Sequence, residues 1–145
     1  MQVETTRFGP LESGPESLYE LPEGLVGFPL LKRFILIEGE AGGPFKWLQS
    51  VDEPGLAFIV IDPDWLVPNY QRALPAPVFE TLGIGRPGEG VALAIVTIPE
   101  DPQAMTANLK GPLLFHPKTR SGIQLVLEEE RYPLRHPILS SLASR

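Results

Sequence analysis

Proline and glycine limit what this chain can fold into. Seventeen prolines and fourteen glycines are spread through 145 residues, so the apolar runs between them are short. Proline withholds a backbone donor and glycine loosens the chain, and neither suits the interior of a long helix. The runs they bound are rich in β-branched and aromatic residues. Gln2–Phe8 alternates, Ser17–Leu21 is extended, and Leu30–Glu38, Phe45–Val51 and Leu56–Ile61 read as strands. Ala41–Pro44 reads as a turn, Asp64–Val67 as a single turn or an irregular edge between prolines, and Pro77–Leu82 as the best short helix. Val91–Ile98, Leu113–Phe115 and Ile123–Leu127 complete about eight or nine strands, which predicts an all-β fold: a mainly antiparallel small barrel or sandwich with one or two short helices.

The segment VALAIVTIPEDPQAMTANLKGPLLFHP, Val91–Pro117, is the most distinctive. Its first run is too continuous for a strand with one wet face and reads as buried on both sides. Pro99 ends it. The polar TANLKGP that follows lies between two core strands, where Asn108 can tie down its own backbone and Gly111-Pro112 stiffens the exit. A loop of that chemistry is a place to look for function. HPKTRSG, with Gly122 just beyond its polar tip, suits a β-hairpin.

The length predicts a single domain, residues 1–139, followed by a frayed tail at 140–145. There is no cysteine, which excludes disulfides, thiol catalysis and cysteine-based metal sites and fits a reducing cytosol. No signal-peptide pattern and no apolar run of transmembrane length is visible. The net charge of −6 argues against direct nucleic-acid binding, which needs lysine and arginine to neutralise phosphates. Met1–Leu30 holds five glutamates (Glu4, Glu12, Glu16, Glu20 and Glu23) against one arginine, Arg7. Such an edge either keeps the chain soluble or steers a basic protein partner.

The chemical motifs mostly fail on context. Gly83-Ile84-Gly85-Arg86-Pro87-Gly88 matches GxGxxG, but a helix precedes it and a strand follows, the reverse of a dinucleotide site. His116 and His136 lack further ligands at metal spacing. Asp62, Asp64 and Asp101 adjoin prolines, where aspartate caps turns; a hydrolase would need two of them as a carboxylate pair. No nucleophile accompanies them, and no cofactor is expected. Alternation places Phe45, Trp47 and Gln49 on one strand face, either as core or as part of a binding surface. Trp65, in a proline-bounded loop, is expected to be partly exposed.

Eight motifs, in order, resemble the flagellar assembly factor family FliW. They are GLVGFP (Gly24–Pro29), PFKWLQS (Pro44–Ser50), LAF (Leu56–Phe58), Asp62-Pro63 with Tyr70 downstream, VTIPED (Val96–Asp101), TANLKGP (Thr106–Pro112), KTRSGIQ ending at Gln124, and YPLRHP (Tyr132–Pro137). Pro29, the Ala of TANL and Gly111 depart from the family's habits without removing a chemical group. The resemblance implies a non-enzymatic, cytoplasmic protein, monomeric when free. It binds flagellin and, in exchange, CsrA, an RNA-binding dimer that represses flagellin translation. Candidate contact residues are Phe45, Gln49, Asp62, Tyr70, Asn108 and Lys110, with Glu12, Glu16 and Glu20 repelling RNA from the captured regulator. Each has a structural alternative, such as Asn108 as a turn staple or Tyr70 as a buried ring. The other class kept open is a generic β-domain that binds peptides along a sheet edge.

Overall fold

The computed structural model describes residues 1–39, 43–128, 130 and 132–143; the expected turn at Ala41–Pro44 falls partly outside these. Its strands are β1 (Gln2–Val3), β2 (Leu11–Glu12), β3 (Leu18–Glu20), β4 (Arg33–Glu38), β5 (Phe45–Ser50), β6 (Ala57–Ile61), β7 (Val91–Thr97), β8 (Thr106–Ala107), β9 (Leu113–Phe115), β10 (Gly122–Gln124) and β11 (His136–Pro137). Helices α1 (Ala76–Leu82) and α2 (Leu139–Ala143) are short. β1 and β2 form a separate ribbon, and the main sheet runs β10-β9-β7-β6-β5-β4-β3, with β8 on β7 and β11 on β8. Every pairing between strands is antiparallel.

The sheet does not close into a barrel, which corrects that half of the expectation; the sandwich-like half stands. Its two end strands meet only at a bridge between Glu20 and Ser121, where the Glu20 N–H donates to the Arg120 carbonyl at 2.9 Å. One parallel contact is not a ladder, so the sheet stays open although strongly curled.

Strand alternation divides the interior in two. On β9, Leu114 enters one core with Ile61, Tyr70, Phe79 and Leu109, while Leu113 and Phe115 enter another with Leu21, Phe34, Leu48 and Val60. β7 supplies both, Ala92, Ala94 and Val96 to the first and Leu93 to the second. It is buried on two faces, as its unbroken apolar run requires. Each fully buried leucine, isoleucine or phenylalanine contributes about 1.5–3 kcal/mol. Gly122 is needed where β10 meets β9, because a Cβ there would lie 2.1 Å from the Leu114 carbonyl oxygen.

Several elements are shorter than the sequence suggests. Gln2–Phe8 is a strand only to Val3, because Thr5 Oγ1 accepts the Phe8 N–H and donates to the Gly9 carbonyl, turning the chain. Residues 140–143, expected in a frayed tail, belong to α2, whose Leu142 packs on the first core.

The polar TANLKGP segment is not a crossover between core strands. β8 and β9 both run antiparallel along β7, with Val96 opposite Ala107 and Leu93 opposite Leu113. Between those pairs β7 spends two residues, Ala94 and Ile95, and the returning strand spends five, residues 108–112. The segment is therefore a large bulge within one edge.

Candidate functional site

The bulge accounts for almost all of its own backbone. Asn108 N–H donates to the Ile95 carbonyl at 2.9 Å, and Leu109 N–H to that of Pro133 at 3.1 Å. Asn108 Oδ1 accepts both the Lys110 and Gly111 N–H groups, at 3.0 and 2.8 Å. The carbonyls of Lys110 and Pro112 accept from Leu127 and Leu125, that of Leu109 from the Tyr70 hydroxyl, and that of Gly111 from Gln124 Nε2. Leu109 is thereby pinned, fully buried, in the first core. Asn108 is the staple that one reading of the sequence anticipated, with its side chain half-buried.

Gln124 carries the bulge's geometry to the GLVGFP motif, because its Oε1 accepts the Val26 N–H at 2.7 Å. That motif is a tight hairpin in which Leu25 and Phe28 exchange backbone hydrogen bonds of 3.1 and 2.8 Å. Gly24 and Gly27 both sit at positive φ, and a Cβ on Gly24 would lie 2.4 Å from the Pro29 carbonyl oxygen. The turn buries Leu25 and lifts Val26, 66% exposed, to its tip.

Between this hairpin, the bulge and the YPLRHP segment lies a groove of about 390 Å³. Its walls are Leu25, Val26, Phe28, Phe58, Ile95 and Leu134, with Asn108, Gln124 and Arg135 supplying polar groups. Phe28 and Phe58 stack edge to face, 6.1 Å between centroids. Phe28 and Leu134 stand 45% and 60% exposed. Apolar side chains held out on rigid turns beside a concave wall are the anatomy of a protein-binding surface.

The residues proposed from sequence do not share one site. Asn108 lines this groove and Lys110 follows it along the bulge. Phe45 lines a separate apolar cleft of about 220 Å³ with Trp47, Ile59, Ile98 and Met105. Phe58 and Ile59 are neighbours on β6, so alternation turns them to opposite faces, one to each hollow. Trp47 is half-buried under the N-terminal ribbon, with Phe8 at 5.6 Å and the Arg7 guanidinium 4.5 Å above its ring. Asp62 lies in a third hollow with Lys46 and Trp65.

Gln49 and Tyr70 are fully buried and offer a partner no surface. Gln49 Nε2 donates to the carbonyls of Ser50, Pro54 and Leu56 and so shapes the loop before β6. Burial pushes the Tyr70 phenol well above its usual range, with Tyr132 and Asp64 adding to the effect. Glu12, Glu16 and Glu20 are all exposed along the stretch from β2 to β3, with Glu12 3.7 Å from the amino terminus.

The aspartates and histidines serve turns. Asp62 and Asp101 accept the N–H of Asp64 and Gln103, each capping a 3₁₀ turn, and Asp64 accepts that of Gln71. His116 Nδ1 accepts from Lys118 and Thr119 in the β9–β10 hairpin. His136 pairs with the Ser141 hydroxyl at 2.9 Å, and burial lowers its pKa. Among the described residues no group of three or more histidines and acidic side chains is placed to hold a metal. None of their helices is long and apolar enough to cross a membrane.

Sequence reasoning missed Val26, Phe28, Gln124 and Leu134. For Val26, Phe28 and Leu134 the signal was their place in Gly- and Pro-bounded turns, though the same turn buries Leu25; for Gln124 no local signal existed.

The fold is an open, curled antiparallel sheet with an apolar groove bordered by the GLVGFP hairpin, the bulge and the YPLRHP segment. The chain belongs to the FliW family, whose model, described as FliW protein, matches residues 2–138. It is 41% identical over 141 residues to the flagellar assembly factor FliW of Geotalea uraniireducens, covering 97% of this chain and 86% of that one. It is 43% identical over 133 residues to the same factor from Syntrophotalea carbinolica, covering 92% and 94%. A crystal structure of the flagellar assembly factor FliW superposes with a TM-score of 0.81 at 29% identity, covering 94% of this chain and 96% of the other.

Proposed function

We propose that this chain is a non-enzymatic flagellar assembly factor that acts in the cytoplasm by binding, with residues 1–139 working as one unit and monomeric when free. It holds flagellin, and when flagellin is exported the freed factor captures CsrA and relieves repression of flagellin translation. The observation that carries the reading is the groove: motifs that mark the family, GLVGFP, LAF, TANLKGP and YPLRHP, converge on it and leave apolar side chains uncovered. Asn108 and Lys110 belong to its rim in this reading, and Phe45 to a second contact.

Two ligands that exclude one another make a homeostatic switch by mass action, since each lowers the free factor available to the other. Glu12, Glu16 and Glu20 supply the negative field that disfavours RNA on the captured regulator. The test is a titration of the purified protein with flagellin, with CsrA, and with both together. Saturable binding to each and displacement of one by the other is expected. Binding to neither overturns the proposal.

A further inference from the structure

Asn108 is committed to the bulge at only one end of its side chain. Its Oδ1 accepts the Lys110 and Gly111 N–H groups at 3.0 and 2.8 Å. A flipped amide would set its own donors against these two, so the orientation is fixed. Neither hydrogen on Nδ2 then has a partner among the described residues. The side chain is half-buried and lines the groove, so folding leaves an oriented pair of donors unused there.

Gln124 is fixed at both ends in the same way. Its Oε1 accepts the Val26 N–H at 2.7 Å, and its Nε2 donates to the Gly111 carbonyl at 3.0 Å. That spends one of the two hydrogens on Nε2. Gly111 brings the two amides together, because a Cβ there would lie 3.0 Å from Asn108 Nδ2 and 3.1 Å from Gln124 Nε2. The missing side chain leaves both nitrogens flanking one corner. Arg135 adds its guanidinium to the groove lining, exposed and in no ion pair among the described residues.

No acidic side chain lines the groove, although the chain carries a net charge of −6. Thr97 contributes a hydroxyl that donates or accepts, and the other polar lining groups have only donors to spare. We propose that the groove receives a segment of a partner protein that carries a large apolar side chain and an aspartate or glutamate on one face. The apolar group lies against Val26, Phe28 and Leu134. The carboxylate takes N–H bonds from Asn108 Nδ2, Gln124 Nε2 and Arg135.

A carboxylate suits this lining better than its rivals do. It accepts several N–H bonds at once, each stronger for being charge-assisted, and it neutralises Arg135. A neutral amide would leave the guanidinium without a counter-charge, and a cation would meet donors only. The chain's overall negative charge opposes an acidic segment at long range, but screening confines that effect to about 10 Å at 0.1 M salt. The inference rests on the reading that this groove binds a protein. It adds what the bound segment carries, and it makes Asn108 a staple through one atom and a contact through another.

The probe is the blocked tripeptide N-acetyl-Leu-Ala-Glu amide, whose first and third side chains share a face when it is extended. It is titrated into ¹⁵N-labelled protein and read at the Asn108 and Gln124 side-chain amides and the Val26 N–H. Saturable shifts at these signals are expected, with N-acetyl-Leu-Ala-Gln amide, the neutral isostere, binding several-fold more weakly. Asn108→Asp keeps an oxygen for the Lys110 and Gly111 N–H groups and exchanges the donor for a second oxygen. It should abolish the shifts at Gln124 and Val26 while the thermal melt is retained. Arg135→Gln, at an exposed position, should weaken binding several-fold; if Asn108→Asp fails to fold, this variant and the glutamine peptide decide alone. Absence of saturable shifts, equal binding of the two peptides, or undiminished binding by a folded Asn108→Asp would overturn the proposal. Tighter binding of N-acetyl-Leu-Ala-Gln, whose one carboxylate is terminal, would overturn the assignment to a side chain. A chain that captures flagellin or CsrA but does not discriminate the peptides loses this inference alone; one that discriminates them but binds neither protein loses the proposed function.

Discussion

Tyr70 donates its hydroxyl to the carbonyl of Leu109, thirty-nine residues further along the chain, and this bond ties the bulge to the first core. Tyr70 also meets Tyr132 edge to face at 5.0 Å. The loop after β6, the bulge and the YPLRHP segment are thus joined at a single ring.

Replacing Tyr70 with phenylalanine keeps the packing and strands the Leu109 carbonyl in an apolar interior. An unsatisfied buried acceptor costs about 1–3 kcal/mol. The expected result is a lower urea midpoint with the slope of the transition unchanged. An unchanged midpoint would show that water replaces the hydroxyl and that the bond is dispensable.

Asn108→Ala removes the acceptor of two backbone donors, and a loss of about 1–2 kcal/mol is expected by analogy with cap deletions. Asn108→Asp keeps the oxygen and should recover most of it. If alanine is tolerated in stability but flagellin binding falls, Asn108 is a contact residue rather than a staple.

At the groove, Val26→Asp and Leu134→Asp place charge on side chains that pack on little else. Stability should change by less than about 0.5 kcal/mol, as for ordinary surface positions. Binding of the partner seated there should weaken by roughly 30-fold or more, the scale of a hot spot. Isothermal titration alongside thermal melts separates the two effects.

The triple change of Glu12, Glu16 and Glu20 to Gln should slow association with CsrA and flatten its salt dependence, read by stopped-flow at two ionic strengths. RNA displacement should weaken with it. Unchanged affinity and displacement would remove the electrostatic role of this edge.

Stability should respond to pH with opposite signs at two aspartates. The Asp62 carboxyl is raised by burial in the folded chain, so the native state holds its proton more tightly than the unfolded state does. Ionised Asp62 therefore costs stability at neutral pH, and that cost disappears as pH falls through the folded pKa. Asp62→Asn should melt at or above the parent at pH 7 and lose that advantage below about pH 4. At Asp52, burial is outweighed by the N–H groups of Lys32 and Arg33 and by the Arg33 guanidinium, and the carboxyl is lowered. Its contribution is present above the ordinary carboxylate range and is lost as pH falls through the lowered value, so Asp52→Asn should be destabilising only at the higher pH.

Much of this architecture was legible because local chemistry and global packing agree. The unbroken run of β7 announced a strand buried on both faces, and Pro77–Leu82 lies within α1, which begins at Ala76. The curl of the sheet was not legible, since whether β3 and β10 close depends on register summed over seven strands. Nor was the bulge: TANLKGP reads as a loop from its own residues, and only the pairing of β8 and β9 with β7 makes it an interruption. The groove escaped for a related reason. Its walls come from residues some hundred positions apart, joined by Gln124, and no local pattern says that Gln124 reaches Val26. Phe45, Trp47 and Gln49 share a face as alternation demands, yet Phe45 and Trp47 line a cleft, Trp47 also meeting Arg7 and Phe8, while Gln49 is sealed. Alternation gives direction; what covers a face is decided elsewhere.

The hydrogen-bond partners that complete the bulge set a timetable for the newborn chain. Pro133, Leu127, Leu125 and Gln124 all follow the bulge in sequence, and Leu134 furnishes a groove wall. A chain still being translated short of residue 124 already contains β7 and both halves of the interrupted edge. It lacks the segments that satisfy the bulge and the last wall of the groove. The groove is therefore complete only once the chain has been synthesised past Leu134.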